Sequence, residues 1–224
     1  MKAEALDPAT TYATQVIARS IVAGRLVRLA CARHLDDLAR QTEKGLEWRP
    51  AEAQEAIDFF AEVLHLPEAT DVDEDREAET EQAVGGMPFV LSPHQTFIIA
   101  NLFGWYAIHI STKTGARRVQ QRFRIAFYQG GKGDGKTPLF AGCLIYMLIR
   151  HGTRGNQIFC AAVTKEQSKI AFADCVKMVE ASPALKALIT HTGNNLAVKS
   201  TGSFIRPISA EKRGLDGKRV QGAV

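Results

Sequence analysis

The sequence predicts an α/β protein: a parallel sheet flanked by helices, preceded by an α-helical region. Three observations carry that prediction. An octapeptide, Gly130 to Thr137, reads Gly-Gly-Lys-Gly-Asp-Gly-Lys-Thr and stands between an apolar stretch of strand length and an apolar run of helical length. A second strand-then-helix pair follows over Gln157–Val163 and Lys165–Ala181. Strand-helix repeats of this kind imply parallel strands joined by right-handed crossovers. Ahead of them, Thr11 to about Gln41 and Ala51 to Leu66 carry apolar residues at helical spacing.

In chain order, Asp7-Pro8-Ala9-Thr10 has the residue types of a helix start. Val16, Ile17, Ile21, Leu26, Leu29, Ala30 and Leu38 then recur at roughly helical spacing up to Gln41. Arg19, Arg25, Arg28 and Arg33 punctuate this segment. They read as a solvated face first, and as DNA or protein contacts second. Gly45 breaks the pattern, and Trp48-Arg49-Pro50 opens a second helix with Ala53, Ile57, Phe60, Ala61 and Leu64 as its apolar stripe.

Pro67 to Gly86 is rich in Asp and Glu and closes on Gly85-Gly86. A run like this buries little apolar surface and reads as a linker. The expected domains are therefore a helical region over 1–66, an acidic linker over 67–86 and a larger domain over 87–224. Ser92 can cap a helix starting at Pro93 and running to Trp105 or beyond. Gly115 to Arg122 reads as a basic loop, and Arg122 to Tyr128 as a short buried strand. Thr164 can cap the helix from Lys165, and Pro183 to Ile189 is a short helix. Leu196–Lys199 and Phe204–Ile208 flank Thr201-Gly202 as a hairpin. Pro207 pushes the second of these strands toward a sheet edge.

The octapeptide fits the P-loop pattern G-x-x-x-x-G-K-[ST], with Gly130, Gly135, Lys136 and Thr137 at the fixed positions. Strand, glycine loop and helix is the context this motif requires. The backbone N–H groups of Gly130, Gly131, Gly133, Asp134 and Gly135 can turn inward around phosphate oxygens, because glycine puts no Cβ in the way. The following helix adds the positive end of its dipole. Lys136 would reach the β- and γ-phosphates of ATP, and the Thr137 hydroxyl would meet Mg²⁺. Pro138 falls in the first helical turn, where a missing N–H costs nothing. Gln95, near a helix start upstream, has the amide that can pair with adenine, or it is a surface residue.

Composition narrows the class. Net charge is +4, from 28 Lys and Arg against 24 Asp and Glu, which permits nucleic-acid contact without arguing for it. The four cysteines, Cys31, Cys143, Cys160 and Cys175, lack C-x-x-C spacing and read as reduced core thiols. The six histidines lack metal-ligand spacing. The N-terminus is polar, without the pattern of a signal peptide. The run from Leu139 to Ile149 is too short to span a bilayer.

Several pieces together, in order, resemble the large terminase subunit of tailed bacteriophages, in the family that serves HK97-like phages. Leu91-Ser-Pro-His-Gln95 resembles the family's L-x-P-W-Q adenine-side motif, and Asn101-Leu-Phe-Gly-Trp105 its L-F-G-W. Arg122-Phe-Arg124 resembles R-x-[FY]-R, and the P-loop stands where the family has R-K-N-G-K-[ST]. Thr164 to Ser168 and Gly214-Leu-Asp-Gly217 resemble two further segments. The resemblance covers Thr11 through Val224. It implies an ASCE-type P-loop NTPase and the ATP-binding part of a DNA-packaging motor, phage- or prophage-encoded, in the cytoplasm of the bacterial host. The implied cofactors are ATP and Mg²⁺. The implied partners are double-stranded DNA, the small terminase subunit, the portal protein and further copies in a ring, with no membrane. Lys132 would contact the γ-phosphate or sense hydrolysis; it also reads as a solvated loop lysine. His94 replaces the family's Trp, which puts stacking beside adenine in question.

In this family an acidic pair and a nuclease domain follow soon after the position of Val224. The chain therefore reads as truncated before the Walker B acids, with little or no hydrolysis expected of it alone. A different class of reading is an interaction module that retains the P-loop only structurally, with Arg117, Arg118, Arg122 and Arg124 as phosphate contacts. A small-molecule kinase ranks last, because no acceptor pocket or lid is visible.

Overall fold

The computed structural model describes residues 7–66, 86–131, 133–150, 154–209 and 220–224. The chain divides into two compact units, each built from two stretches: Met1–Asp58 with Leu91–Tyr128, and Phe59–Val90 with Gln129–Val224. Of the expected acidic linker, residues 67–85 lie outside the described residues.

The first unit holds helices α1 (Pro8–Ile17), α2 (Arg25–Ala39), α3 (Pro50–Asp58) and α4 (Pro93–Gly104). It also holds strands β1 (Leu46–Trp48), β2 (Trp105–Ile110) and β3 (Arg117–Gln121). Asp7 caps α1, its carboxylate accepting from the N–H groups of Ala9 and Thr10 at 3.0 Å each. The single helix expected up to Gln41 is two, because α1 closes on a Schellman turn. The Arg19 N–H donates to the Val16 carbonyl (3.2 Å) and the Ser20 N–H to the Gln15 carbonyl (3.0 Å), with Arg19 at φ 61. Ala9, Tyr12, Ala13 and Val16 of α1 join Cys31, Ala53, Phe97 and Ala100 in one buried cluster.

Strands β1, β2 and β3 form an antiparallel sheet in that order. The segment over Arg117–Gln121, expected as a basic loop, is its third strand. The strand expected over Arg122–Tyr128 is not formed: these residues join no ladder, and Ile125 and Phe127 are 90% and 88% exposed. Alternating apolar side chains make a strand possible, but pairing needs a partner that local sequence does not specify.

His34, fully buried on α2, is the hub of this unit. Its ring packs edge-on against Trp48, Phe97 and Trp105 at centroid distances of 5.0, 5.7 and 5.7 Å. The Trp105 indole N–H lies 3.1 Å from Nδ1, which is also 3.2 Å from the Asn101 amide oxygen, and Nε2 lies 3.1 Å from the Thr10 hydroxyl. That hydroxyl donates to the Asp7 carboxylate at 2.7 Å, and the Trp48 indole reaches the same oxygen at 3.3 Å. Burial pushes the His34 imidazole below its ordinary pKa of 6.5, against the opposing pull of Asp7 and Asn101. Asp37, on the same helix, is held by Arg122 at 2.6 Å and Lys44 at 2.7 Å. Burial raises the Asp37 carboxyl, and the hydrogen bonds from Arg122 and Lys44 outweigh it, leaving the group below its usual range.

The second unit contains a π-helical turn (Phe59–Val63), helices α5 (Lys136–Ile149), α6 (Lys165–Ala181) and α7 (Pro183–Leu188), and five strands. These are β4 (Gln157–Ala162), β5 (Thr190–Thr192), β6 (Asn195–Val198), β7 (Ser203–Ser209) and β8 (Val220–Ala223). They make one sheet in the order β5-β6-β7-β4-β8. Strands β7, β4 and β8 run parallel, as the strand-helix alternation predicts, while β5 and β6 extend the sheet antiparallel. Thr164 caps α6, its hydroxyl accepting from the Gln167 N–H at 3.2 Å.

β7 is interior, not an edge as Pro207 suggests. The Phe204 N–H donates toward the β4 side, to the Asn156 carbonyl at 2.9 Å, so by alternation Pro207 turns its nitrogen toward β6. The β6 ladder reaches only Ile205, so the missing donor faces a place where β6 has already ended.

Helix α5 is buried on most sides, through Leu139, Ala141, Cys143, Leu144, Ile145, Tyr146 and Leu148. Each large apolar side chain so buried contributes about 1.5–3 kcal/mol. Gly142 lets the Phe60 ring and Leu64 approach: a Cβ there would lie 2.5 Å from Phe60 Cε1 and 2.8 Å from Leu64 Cδ1. All four cysteines are buried and free, as expected of core thiols. Burial pushes the Cys31 thiol up to about 11 and that of Cys143 up to about 12. Among the described residues no helix is long and apolar enough to cross a membrane.

Two outcomes follow from this packing. His34 is lowered in the folded state, so its contribution is whole above the ordinary imidazole pKa and shrinks as pH falls below it. Urea midpoints measured between about pH 7.5 and about pH 5 should therefore drop more steeply for the native chain than for His34→Gln. Gly142→Ala should destabilise the chain by about 1–2 kcal/mol in the same assay, because overlap with Phe60 outweighs the helix preference of alanine.

Candidate functional site

The glycine loop runs from Gln129 into the N-terminus of α5. Gly133 and Gly135 have φ of 85° and 66°, the left-handed region that glycine enters without steric cost. Gly135 is the N-cap of α5, with ψ 22° and no side-chain cap. Left-handed glycines in a loop that runs into a helix N-terminus are compatible with a concave array of backbone N–H groups, a shape suited to anions. Pro138 stands third in the helix, and the first regular bond runs from the Leu139 N–H to the Gly135 carbonyl at 3.1 Å. The N–H groups of Lys136 and Thr137 precede that bond, so the helix itself supplies them no acceptor.

Two side chains draw the loop together. The Lys136 ammonium donates to the Gly130 carbonyl at 3.0 Å and also to the Gly131 carbonyl. The Asp134 carboxylate folds back over Gly130: a Cβ on Gly130 would sit 2.0 Å from Asp134 Oδ2. A side chain at 130 would therefore displace this carboxylate, while the backbone angle there makes no demand for glycine. Thr137 is exposed at the mouth of the loop. Gly130, Gly131, Gly133, Asp134, Gly135, Lys136 and Thr137 therefore gather at the head of α5. Lys132 and Gly214–Gly217 lie outside the described residues.

Gln95 belongs to the first compact unit, in the first turn of α4. Its side-chain oxygen accepts from the Ser92 N–H at 2.9 Å, while the Ser92 hydroxyl accepts from the Gln95 N–H at 3.4 Å. This is a capping box. Pairing with adenine needs both ends of the amide, and here the oxygen already closes the helix start.

The neighbouring His94 has a partner that the sequence did not suggest. Its Nε2 lies 2.7 Å from the Tyr128 hydroxyl, and the two rings stack at 5.5 Å with an interplanar angle of 27°. Tyr128 reads in sequence only as the end of an apolar stretch, and no local signal announces the pairing. Of the basic residues named as phosphate contacts, Arg122 is committed to Asp37 (2.6 Å) and Arg117 to Glu47 (3.1 Å). Arg118 and Arg124 are exposed.

Residues 93–224, more than half of the chain, match the model of the family described as terminase large subunit, ATPase domain. Among solved structures, the chain is similar to the crystal structure of the HK97 bacteriophage large terminase, with 22% identity and a TM-score of 0.54. That match covers 76% of this chain and 30% of the other, so the chain spans about a third of its solved relative. At this identity the likeness speaks for the fold. No curated protein matches the chain.

Gly135→Ala should destabilise the chain by about 1–2 kcal/mol, because alanine resists the left-handed conformation at the head of α5. Thermal unfolding of the two proteins side by side measures this.

Proposed function

The chain belongs to the terminase large-subunit family through its ATPase domain, and from that premise we propose that it is the ATP-binding part of a phage DNA-packaging motor. The single observation that carries the reading is the geometry of the glycine loop at the head of α5. Three features fit it to the phosphates of a nucleotide. Gly133 and Gly135 adopt positive φ, open to glycine without steric cost, in the loop that leads into the helix N-terminus. Gly130 leaves room for the Asp134 carboxylate, which folds back over it. The Lys136 ammonium already lies across the loop, on backbone oxygens.

In this reading each residue has a distinct task. Lys136 exchanges carbonyl oxygens for phosphate oxygens and neutralises them. The N–H groups of the loop and of Lys136 and Thr137 orient the phosphate chain without a reorganisation cost at the moment of reaction. Thr137 supplies a hydroxyl for Mg²⁺. Lys132 keeps its assignment to the γ-phosphate through the family pattern alone. Gln95 reads the adenine base once its oxygen leaves the Ser92 N–H. Mg-ATP, when bound, supplies the phosphoanhydride whose hydrolysis drives DNA movement in the complete motor. Double-stranded DNA, the small subunit, the portal and a ring of copies enter as partners of that complete motor, and the bacterial cytoplasm as its place of work.

Asp134 stands where the family pattern carries Asn, and its carboxylate opposes the phosphates this loop would hold. Two variants test the reading by titration calorimetry with ATP and Mg²⁺. The native chain should bind with a Kd in the micromolar to millimolar range. Lys136→Ala should abolish that binding, and Asp134→Asn should tighten it by about tenfold, about 1.4 kcal/mol. A folded native chain that binds no nucleotide would refute the proposal.

A further inference from the structure

We propose that the corner between α1 and α2 is a docking cleft for an acidic amphipathic helix of a partner protein. The inference is independent of the nucleotide reading and uses residues of the first unit alone. The cleft measures about 320 Å³ and is lined by Val16, Arg19, Ile21, Val22, Ala23 and Arg28. Its floor is aliphatic, and both of its charged lining residues are arginines.

Apolar exposure continues outward from the cleft. Val22 is fully exposed, and Leu26 and Leu29, one turn apart on α2, are 76% and 55% exposed. An isolated exposed leucine needs no explanation, but three exposed aliphatic side chains within eight residues, one of them lining the cleft, form a cluster of the kind that marks an interaction surface. Arg25 lies one turn before Leu29 on the same face of α2, at the i,i+4 spacing. Arg28 Nη1 donates to the Ala23 carbonyl at 2.6 Å, which holds the guanidinium at the rim.

The backbone gives a second, separate indication. Arg19 occupies the C′ position of the Schellman turn at φ 61, where glycine is the unstrained choice. A bulky residue held there is strained, and such strain collects where a side chain has a task. The side chain so placed is one wall of the cleft.

The charge and the apolar cluster together select the occupant. Arginine forks recognise carboxylates in bidentate fashion, so the ligand is acidic. Duplex DNA satisfies arginine but offers nothing to cover Val22, Leu26 and Leu29. A helix with leucines on one face and glutamates beside them matches both, in the helix-in-groove manner.

The test uses the full chain and a fluorescein-labelled helical peptide of about 20 residues. The peptide carries Leu on one face and Glu on its flanks. Fluorescence anisotropy should show saturable binding with a Kd on the order of 10 μM. Arg19→Gly should weaken it at least about tenfold, while thermal stability of that variant holds or rises, because glycine suits the turn. Leu26→Ser should weaken it similarly. The proposal is overturned by absence of saturable binding up to about 1 mM, or by unchanged affinity in Arg19→Gly. It is also overturned if duplex DNA or anionic vesicles bind in an Arg19-dependent way and the peptide does not.

Discussion

The second unit depends on the burial of α5. This helix carries apolar side chains on most of its circumference, so it is stable only when elements cover it from several directions at once. Gly142 makes that cover possible, because the aromatic turn at Phe60 and Leu64 closes onto bare backbone there. On another part of the helix, Asn156 donates from its amide to the Met147 carbonyl at 3.2 Å while its main chain enters β4. The head of α5 is thus fixed by its body. The glycine loop, exposed and poor in side chains, takes its position from a helix that cannot shift without disturbing the core. A phosphate cradle built on a mobile helix would reorganise on each binding event, and the electrostatic value of preset N–H groups would be lost.

The first unit rests on a different device. Its core is crossed by a chain of polar groups, Asp7, Thr10, His34 and the Trp105 indole, each within hydrogen-bond distance of the next. Such a network is stabilising only when complete, because each buried partner left unpaired costs more than the bond contributes. It also specifies geometry. The two tryptophans face each other across β1 and β2, with centroids 5.1 Å apart, and both indoles are addressed to this network.

Local chemistry was legible in the sequence, and long-range pairing was not. The P-loop could be read because its glycines, lysine and threonine sit at fixed spacing and the structural demand is local. The helix starts at Ser92 and Thr164 were legible for the same reason, since a cap is satisfied within three residues. Arg122–Tyr128 was misread as a strand because alternation describes a face without supplying the neighbour. Pro207 misled because its effect depends on where β6 ends, which the residues around Pro207 do not encode. Gln95 was visible as an amide near a helix start, but its use in the capping box competes with the role its position suggests. The His94–Tyr128 stack and the Arg122–Asp37 pair join residues far apart in sequence, and only the folded chain brings them together.

Each compact unit is assembled from two separated stretches, and the stretches alternate along the chain. That arrangement sets an order during synthesis. Domains fold from the N-terminus as the chain emerges. The first unit is complete once Tyr128 has left the ribosome. The second must keep Phe60, Leu64 and Phe89 waiting while the intervening stretch is made, since their cover on α5 is translated later. Every residue of the first unit therefore emerges before the phosphate loop and its supporting helix do.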